Sequence, residues 1–224
     1  MLQVHKKYQI FISSSMKDLR EERKAIISDM LSAGHIPYGM EAFSPGNERE
    51  LEVIKRGIKQ SDIYIVLVGF RYGSVVEEGG PSFTQLEYRI ARDLGKPILA
   101  FLLKTSEFED RRNALKADHP DMKHQNQIID FREEVKAIDK EKKKHRIVGY
   151  FSQEVGGLGD LKITVRDGIQ KLISNKKFKA KGWIRGDEYE STRLPEEIDN
   201  NIFIRDVVKR LCEFKTLSSS TLRL

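Results

Sequence analysis

Two near-continuous apolar runs, SDIYIVLVGF (61–70) and KPILAFLLK (96–104), constrain this chain more than any other feature. Each is bounded by polar residues and leaves no face for water, so each reads as a strand buried on both sides. Between them lies FTQLEYRIARDL, whose Leu86, Ile90, Ala91 and Leu94 recur at helical period and are expected to face inward. Ser82 stands at its N-cap with Gln85 three residues on, and Gly95 closes it. Two buried strands joined by a helical crossover make a parallel pair.

The same alternation extends both ways. KYQIFISSS (7–15) is a β-branched and aromatic run ending in three serines. A helix follows, with Leu19, Ile26, Ile27, Met30 and Leu31 on one face, Ser15 as its cap, Asp18 at the reciprocal position, and Gly34 at its end. HIPYGM (35–40) is a short strand, EAFSPGN a loop with a Pro-Gly turn, and ERELEVIKRGIKQ a helix with Leu51, Ile54 and Ile58 inward. Residues 105–126 are polar and read as an insertion or mobile loop. QNQIIDFREEVKAIDKEKKK is helical, RIVGYFS (146–152) is a fifth strand, and GGLGD is a turn. LKITVRDGIQKLISN packs through Leu161, Val165, Ile169 and Leu172. These elements predict an open, five-stranded parallel α/β sheet with helices on both faces and right-handed crossovers. The order 2-1-3-4-5 is assumed. The domain is expected over 1–187, with 105–145 an insertion or lid, and a helical extension and tail over 188–224.

Composition narrows the function classes. The chain has 224 residues, 39% hydrophobic and 33% charged, as expected of a globular protein with a charged surface. No apolar run approaches the roughly 18 residues of a membrane span, and the N-terminal apolar run is too short for a signal peptide. A cytoplasmic location is therefore expected, with no membrane partner. One cysteine, Cys212, excludes an internal disulfide and a cysteine-based zinc site. The five histidines show no metal-ligand spacing; His119 and His124 are the closest pair. No metal site is expected. The net charge is +6, concentrated in EKKKHR (141–146) and NKKFKAKGWIR (175–185). That is modest for a nucleic-acid binder and no recognition motif accompanies it, which argues against nucleic acid as a partner. No Walker motif, dinucleotide fingerprint or G-x-S-x-G elbow is present.

In an open parallel sheet, ligands bind beyond the carboxyl ends of the strands where the strand order reverses. At those ends stand Ser13, Ser14 and Ser15 after the first strand, and Phe70, Arg71, Tyr72 and Gly73 after the third. The loop that follows delivers Ser82 and Glu87. Serine hydroxyls and helix amides can hold hydroxyls or a phosphate, Arg71 can pair with an anion, and Phe70 or Tyr72 can stack on a base. Glu87 can serve as a nucleophile toward a sugar carbon or stabilise an oxocarbenium-like cation. Each has a plainer reading: ISSS as strand end plus cap, Gly73 as a turn residue, Glu87 as an exposed helix charge. Their convergence on one face of one sheet makes them candidates together.

The segments FISSSMKDLREERKAI, GHIPYGMEAF, SDIYIVLVGFRYGS, SFTQLEYRIARDLGKPILAF and KGWIRGD resemble a widespread uncharacterised domain family. Its signatures are FISS-x-x-KDL-x-x-ER and SDIY…RYGS…T-x-x-EY…GKP. The likeness covers about residues 8–104 closely and reaches about 187 through GWIR. That family is in turn similar to Toll/interleukin-receptor (TIR) domains and nucleoside 2-deoxyribosyltransferases, which share a flavodoxin-like sheet. The resemblance implies Glu87 as the catalytic carboxylate on an N-glycosidic bond, with Ser13, Ser14, Arg71, Tyr72 and Ser82 as substrate contacts. It implies NAD or another nucleotide as substrate, no separate cofactor, self-association, and a signalling or defence setting. Against the enzymatic reading stands a nucleotide-binding or self-associating module without turnover.

Overall fold

The computed structural model describes residues 6–39, 50–116, 118–137, 146–154 and 156–184. The chain divides into two compact units, Lys7–Gly182 and a second made of Met1–Lys6 with Trp183–Leu224. The fold described here is that of Lys7–Gly182. The helical extension and tail expected over 188–224, Cys212 within it, Met40, Glu41, the EAFSPGN turn and most of the EKKKHR tract lie outside the described residues.

Five strands, β1 (Gln9–Ser14), β2 (Ile36–Tyr38), β3 (Ile63–Val68), β4 (Ile98–Leu103) and β5 (Arg146–Phe151), form one sheet of order 2-1-3-4-5. Every pair is parallel; Phe11 lies opposite Tyr64, Tyr64 opposite Ile98, and Ile98 opposite Arg146. Every residue of β1, β3 and β4 is buried. This is the outcome their unbroken apolar runs require, because helices cover both faces. The edge strand β2 is partly exposed, and Tyr150 of β5 is open to solvent.

Among the described residues six α-helices complete the fold: α1 (Arg20–Ser32), α2 (Glu50–Gln60), α3 (Phe83–Asp93), α4 (Thr105–Ala114), α5 (Gln125–Lys136) and α6 (Gly157–Ile173). Helices α1 and α6 pack together, as do α2 and α3. Helix α5 joins α3 through the edge-on Tyr88–Phe131 ring pair. Leu161, Val165, Ile169 and Leu172 of α6 are buried, as their period predicts.

Three local readings are corrected. Residues 105–114 form a helix, anchored by Phe108, whose ring packs on Phe70 and carries the Arg132 guanidinium 4.3 Å above it. One aromatic anchor among charged residues leaves no legible helical period, so the sequence reads as loop. After it, Pro120–His124 forms a short 3-10 turn leading into α5. GGLGD is no turn: α6 begins at Gly157, where a side chain would collide with the Ser152 carbonyl. Third, Ser15 does not cap α1. The helix starts at Arg20 with Leu19 at the N-cap and no side chain capping it.

Candidate functional site

Strands β1 and β3 are neighbours, and the connections leaving them run to opposite sides of the sheet. Their carboxyl ends therefore flank the crevice at which ligands of such sheets bind. All three serines reach this position and all three are buried. The alternation of the strand separates their roles. Ser13 meets α3, where its hydroxyl donates to Glu87 Oε2. Ser14 meets α1, where its Oγ accepts from Arg23 Nη1 at 3.3 Å, the same nitrogen that bonds the Ile12 carbonyl at 2.6 Å. Ser15 Oγ is buried and has no hydrogen-bond partner among the described residues.

Glu87 is 3% exposed. Its burial follows from a rotation of α3 relative to the face that Leu86, Ile90, Ala91 and Leu94 predict. The inward residues are Thr84, Gln85, Glu87, Tyr88 and Ala91, while Leu94 is 46% exposed. A carboxylate so deeply buried is tolerated only with polar partners, and Ser13 supplies one. The phenol of Tyr64 is fully buried in the same region. Burial first, and then the negative charge of Glu87, push its pKa well above the ordinary value.

The loop after β3 folds back on itself. Val75 and Ser82 form an antiparallel bridge, and Phe83 N–H donates to the Ser74 carbonyl at 3.0 Å. Ser82, fully buried, caps α3 as predicted by accepting the Gln85 N–H at 3.2 Å. Gly73 takes φ +87°, a left-handed conformation that favours glycine, and a side chain there would abut Ser15 at 3.7 Å. Tyr72 is buried; its hydroxyl donates to Gln85 Oε1, and its ring lies 5.8 Å from that of His124. Tyr72 is thus held by packing on both its ring and its hydroxyl. Gln85 in turn donates to Glu134 at 2.8 Å, which Arg89 and Arg92 grip from α3. The structure therefore brings Ser13 to Glu87 and ties Tyr72 to Ser82 through Gln85. Arg71 is drawn elsewhere, pairing with Asp121 at 3.0 Å.

The sequence reading misses the role of Asp18, placed there at the reciprocal capping position of α1. Its Oδ2 accepts from the backbone N–H groups of Phe70 (2.8 Å) and Arg71 (2.9 Å), tying the β1 loop to the β3 loop. Gly69 makes this possible, since a side chain there would collide with that oxygen. Gln153 is also missed. From the end of β5 its amide nitrogen donates to the Asp18 carbonyl (2.8 Å) and to Glu22 (2.7 Å). Its position just beyond a strand's carboxyl end was the available signal; its partners, more than 130 residues away in sequence, left none.

Beside these loops lies an open cleft of about 780 Å³ over the first turn of α1. Lys17, Arg20, Arg71 and Arg111 line it together with Asp18, Glu21, Glu22 and Gln153. Of the site residues proposed from sequence, Arg71 lines this cleft. Among the described residues no three His, Cys, Asp or Glu side chains are grouped to hold a metal. Nor is any described helix long and apolar enough to cross a membrane. Of the aromatic residues in the basic tract at 175–185, Phe178 packs edge-on against Tyr8 at 5.4 Å, which removes it as a base-stacking platform.

Residues 9–156 match the model of the family described as "Domain of unknown function (DUF4062)". The chain belongs to the DUF4062 family. A comparison with curated proteins found no match. Solved structures similar to this DUF4062 domain include the TIR domains of the activated Roq1 resistosome directly recognising the pathogen effector XopQ. That likeness has 11% identity and a TM-score of 0.46, over 73% of this chain and 99% of that one. Another is the CMP N-glycosidase BcmB of Clostridium botulinum, with 16% identity and a TM-score of 0.37, over 70% and 98%. A third is a probable GTP-binding protein, engB, with 15% identity and a TM-score of 0.38, over 73% and 99%. Three such different descriptions on distantly similar chains leave function to be argued from the site itself.

Proposed function

We propose that this DUF4062 domain acts on nucleotides at the N-glycosidic bond, as a hydrolase or transferase with NAD as the leading substrate and Glu87 as its carboxylate. The observation that carries the reading is the buried Ser13–Glu87 hydrogen bond behind the carboxyl ends of β1 and β3. Cleavage of such a bond builds positive charge on the sugar, and a fixed carboxylate in a site of low dielectric stabilises it strongly. Ser13 fixes the carboxylate's orientation, and Ser82 fixes the start of the helix that carries it. Because Glu87 is closed in, substrate entry requires the loops after β1 and β3 to part, the kind of gating step common in enzymes that exclude water. The sequence resemblance to TIR domains and deoxyribosyltransferases supports the same reading and suggests a signalling or defence setting.

The test is incubation with NAD and a panel of nucleosides and nucleotides, read by product mass, for wild type and Glu87→Gln. The amide replacement keeps the shape of the side chain, and thermal denaturation checks the fold. Release of base by wild type and its loss in a folded Glu87→Gln is the expected result. Undiminished release by the variant removes Glu87 from catalysis.

A second reading is a nucleotide-binding or self-associating module without turnover. It is favoured by the depth of Glu87, which does not line the open, cation-lined cleft over α1. It predicts thermal stabilisation by nucleotide with no product formed.

A further inference from the structure

The charges around the cleft over α1 are unequally satisfied. Each of its carboxylates is engaged through one oxygen: Asp18 Oδ2 by two backbone amides, Glu22 by the Gln153 amide, and Glu21 by Lys24 at 3.0 Å, while Asp18 Oδ1 is buried without a hydrogen-bond partner among the described residues. Its cations are not so engaged. Lys17 and Arg20 make no ion pair among the described residues. Among the described residues, Arg111 gives a nitrogen only to the neutral Gln153 side-chain oxygen, at 2.5 Å. Arg71 alone holds a carboxylate, that of Asp121, which comes from the short 3-10 turn before α5. The N-terminus of α1 adds to the imbalance, because no side chain caps the amides of its first turn. A volume of about 780 Å³ is in the range of small-molecule sites.

We propose that this cleft binds the phosphate groups of a nucleotide through Lys17, Arg20, Arg71 and Arg111, and that Asp121 competes with the ligand for Arg71. This rests on the nucleotide reading above and narrows it to phosphorylated nucleosides. Guanidinium groups offer paired N–H donors to phosphate oxygens, and the uncapped helix amides favour the same charge. Arg71 is the link between the two regions. It lies three residues past β3 and one before the buried Tyr72, so a phosphate held at Arg71 sits on the loop that leads to Ser82, the cap of the helix carrying Glu87. Displacement of Asp121 also frees the 3-10 turn that the Arg71 ion pair and the Tyr72–His124 ring contact hold against that loop.

Titration calorimetry on the full chain with ADP, inorganic pyrophosphate and adenosine tests this. ADP and pyrophosphate are expected to bind, and adenosine at least about tenfold more weakly. Arg20→Gln and Arg111→Gln should each weaken ADP by at least about fivefold, as the loss of one charged hydrogen bond requires. Asp121→Asn should tighten it by about two- to fivefold, the range of an exposed ion pair. Equal binding of ADP and adenosine, no binding of ADP or pyrophosphate, or unchanged affinity in both arginine variants overturns the cleft. No tightening in Asp121→Asn overturns the competition. Measuring base release in parallel separates the two claims. ADP binding without any N-glycosidic turnover overturns the proposed activity and leaves the cleft standing. Turnover that is lost in Glu87→Gln but unaffected in both arginine variants does the reverse.

Discussion

Ser13, at the carboxyl end of β1, donates its hydroxyl hydrogen bond to the carboxylate of Glu87, 74 residues away on α3. Both side chains are buried, so the bond joins the strand that opens the sheet to the helix that follows its central strand. The arrangement makes Ser13 the partner that a buried charge needs, and its removal has a defined consequence.

Ser13→Ala is expected to lower stability by about 1–3 kcal/mol, the cost of leaving a buried charged acceptor short of a donor. In a domain of this size that is a fall in melting temperature of several degrees. Ser15→Ala, which removes a buried hydroxyl without a hydrogen-bond partner among the described residues, should leave stability unchanged or raise it by up to about 1 kcal/mol. Equal effects from the two substitutions in thermal denaturation would contradict the pairing.

Gly69 and Asp18 are expected to be energetically coupled. Gly69→Ala should cost about 1–3 kcal/mol, because the new methyl group meets Asp18 Oδ2 and the Leu19 side chain. Asp18→Ala should cost a similar amount by leaving the Phe70 and Arg71 amides without their acceptor. In the Asp18→Ala background the first obstacle is gone, so Gly69→Ala should cost at least about 0.5 kcal/mol less. Strict additivity in urea denaturation of the four proteins would rule out the contact.

Glu134 ties a pH dependence to the α3–α5 interface. Burial pushes its carboxyl up, but hydrogen bonds from Arg89 and Gln85, with the charges of Arg89 and Arg92, outweigh this and hold it below its ordinary 4.5. A carboxyl with a lowered folded pKa binds fewer protons folded than unfolded. Its contribution to stability is present above pH 4.5 and is lost as the pH falls through the folded value. Wild type should therefore exceed Glu134→Gln in stability at pH 7 by on the order of 1 kcal/mol. The gap is modest because both arginines are more than a third exposed. It should narrow well below pH 4.5; a gap that stays constant down to pH 3 would exclude the linkage.

The glycines that open α6 should respond in opposite directions. Gly157→Ala sets a methyl group against the Ser152 backbone carbonyl, which cannot move without shifting β5, and should cost about 3 kcal/mol. At Gly159 an added methyl group meets nothing within 4 Å, so Gly159→Ala should stabilise by about 0.5 kcal/mol through reduced freedom of the unfolded chain. Paired melting curves decide both.

The architecture was legible in the sequence because apolar runs such as SDIYIVLVGF and KPILAFLLK can satisfy themselves only between two layers of helices. Ser82 as the cap of α3 was legible too, since capping needs only a hydroxyl at one local position. The orientation of α3 was not. Its Leu86, Ile90 and Leu94 suggest one inward face, yet packing against β1, β3 and α5 selected the face bearing Gln85, Glu87 and Tyr88. On that face Glu87 and Gln85 meet partners from other segments: Ser13 for Glu87, Tyr72 and Glu134 for Gln85. Helix α4 escaped notice because Phe108 is its one deeply buried apolar residue, and a single anchor has no period.

What the sequence by itself determined is therefore whatever depends on local patterning: five strands, their parallel alternation with helices, the Ser82 cap, and the segments that end at the crevice. What only the tertiary structure decided is which polar side chains are buried, which face one another, and which are left toward solvent. Glu87 turned inward to Ser13, Asp18 was taken by the backbone beyond β3, and Arg20 and Arg111 were left lining an open cleft. These outcomes depend on contacts between residues 40 to 135 positions apart, and the free energy of a buried polar group is set by the partner that distant packing brings to it.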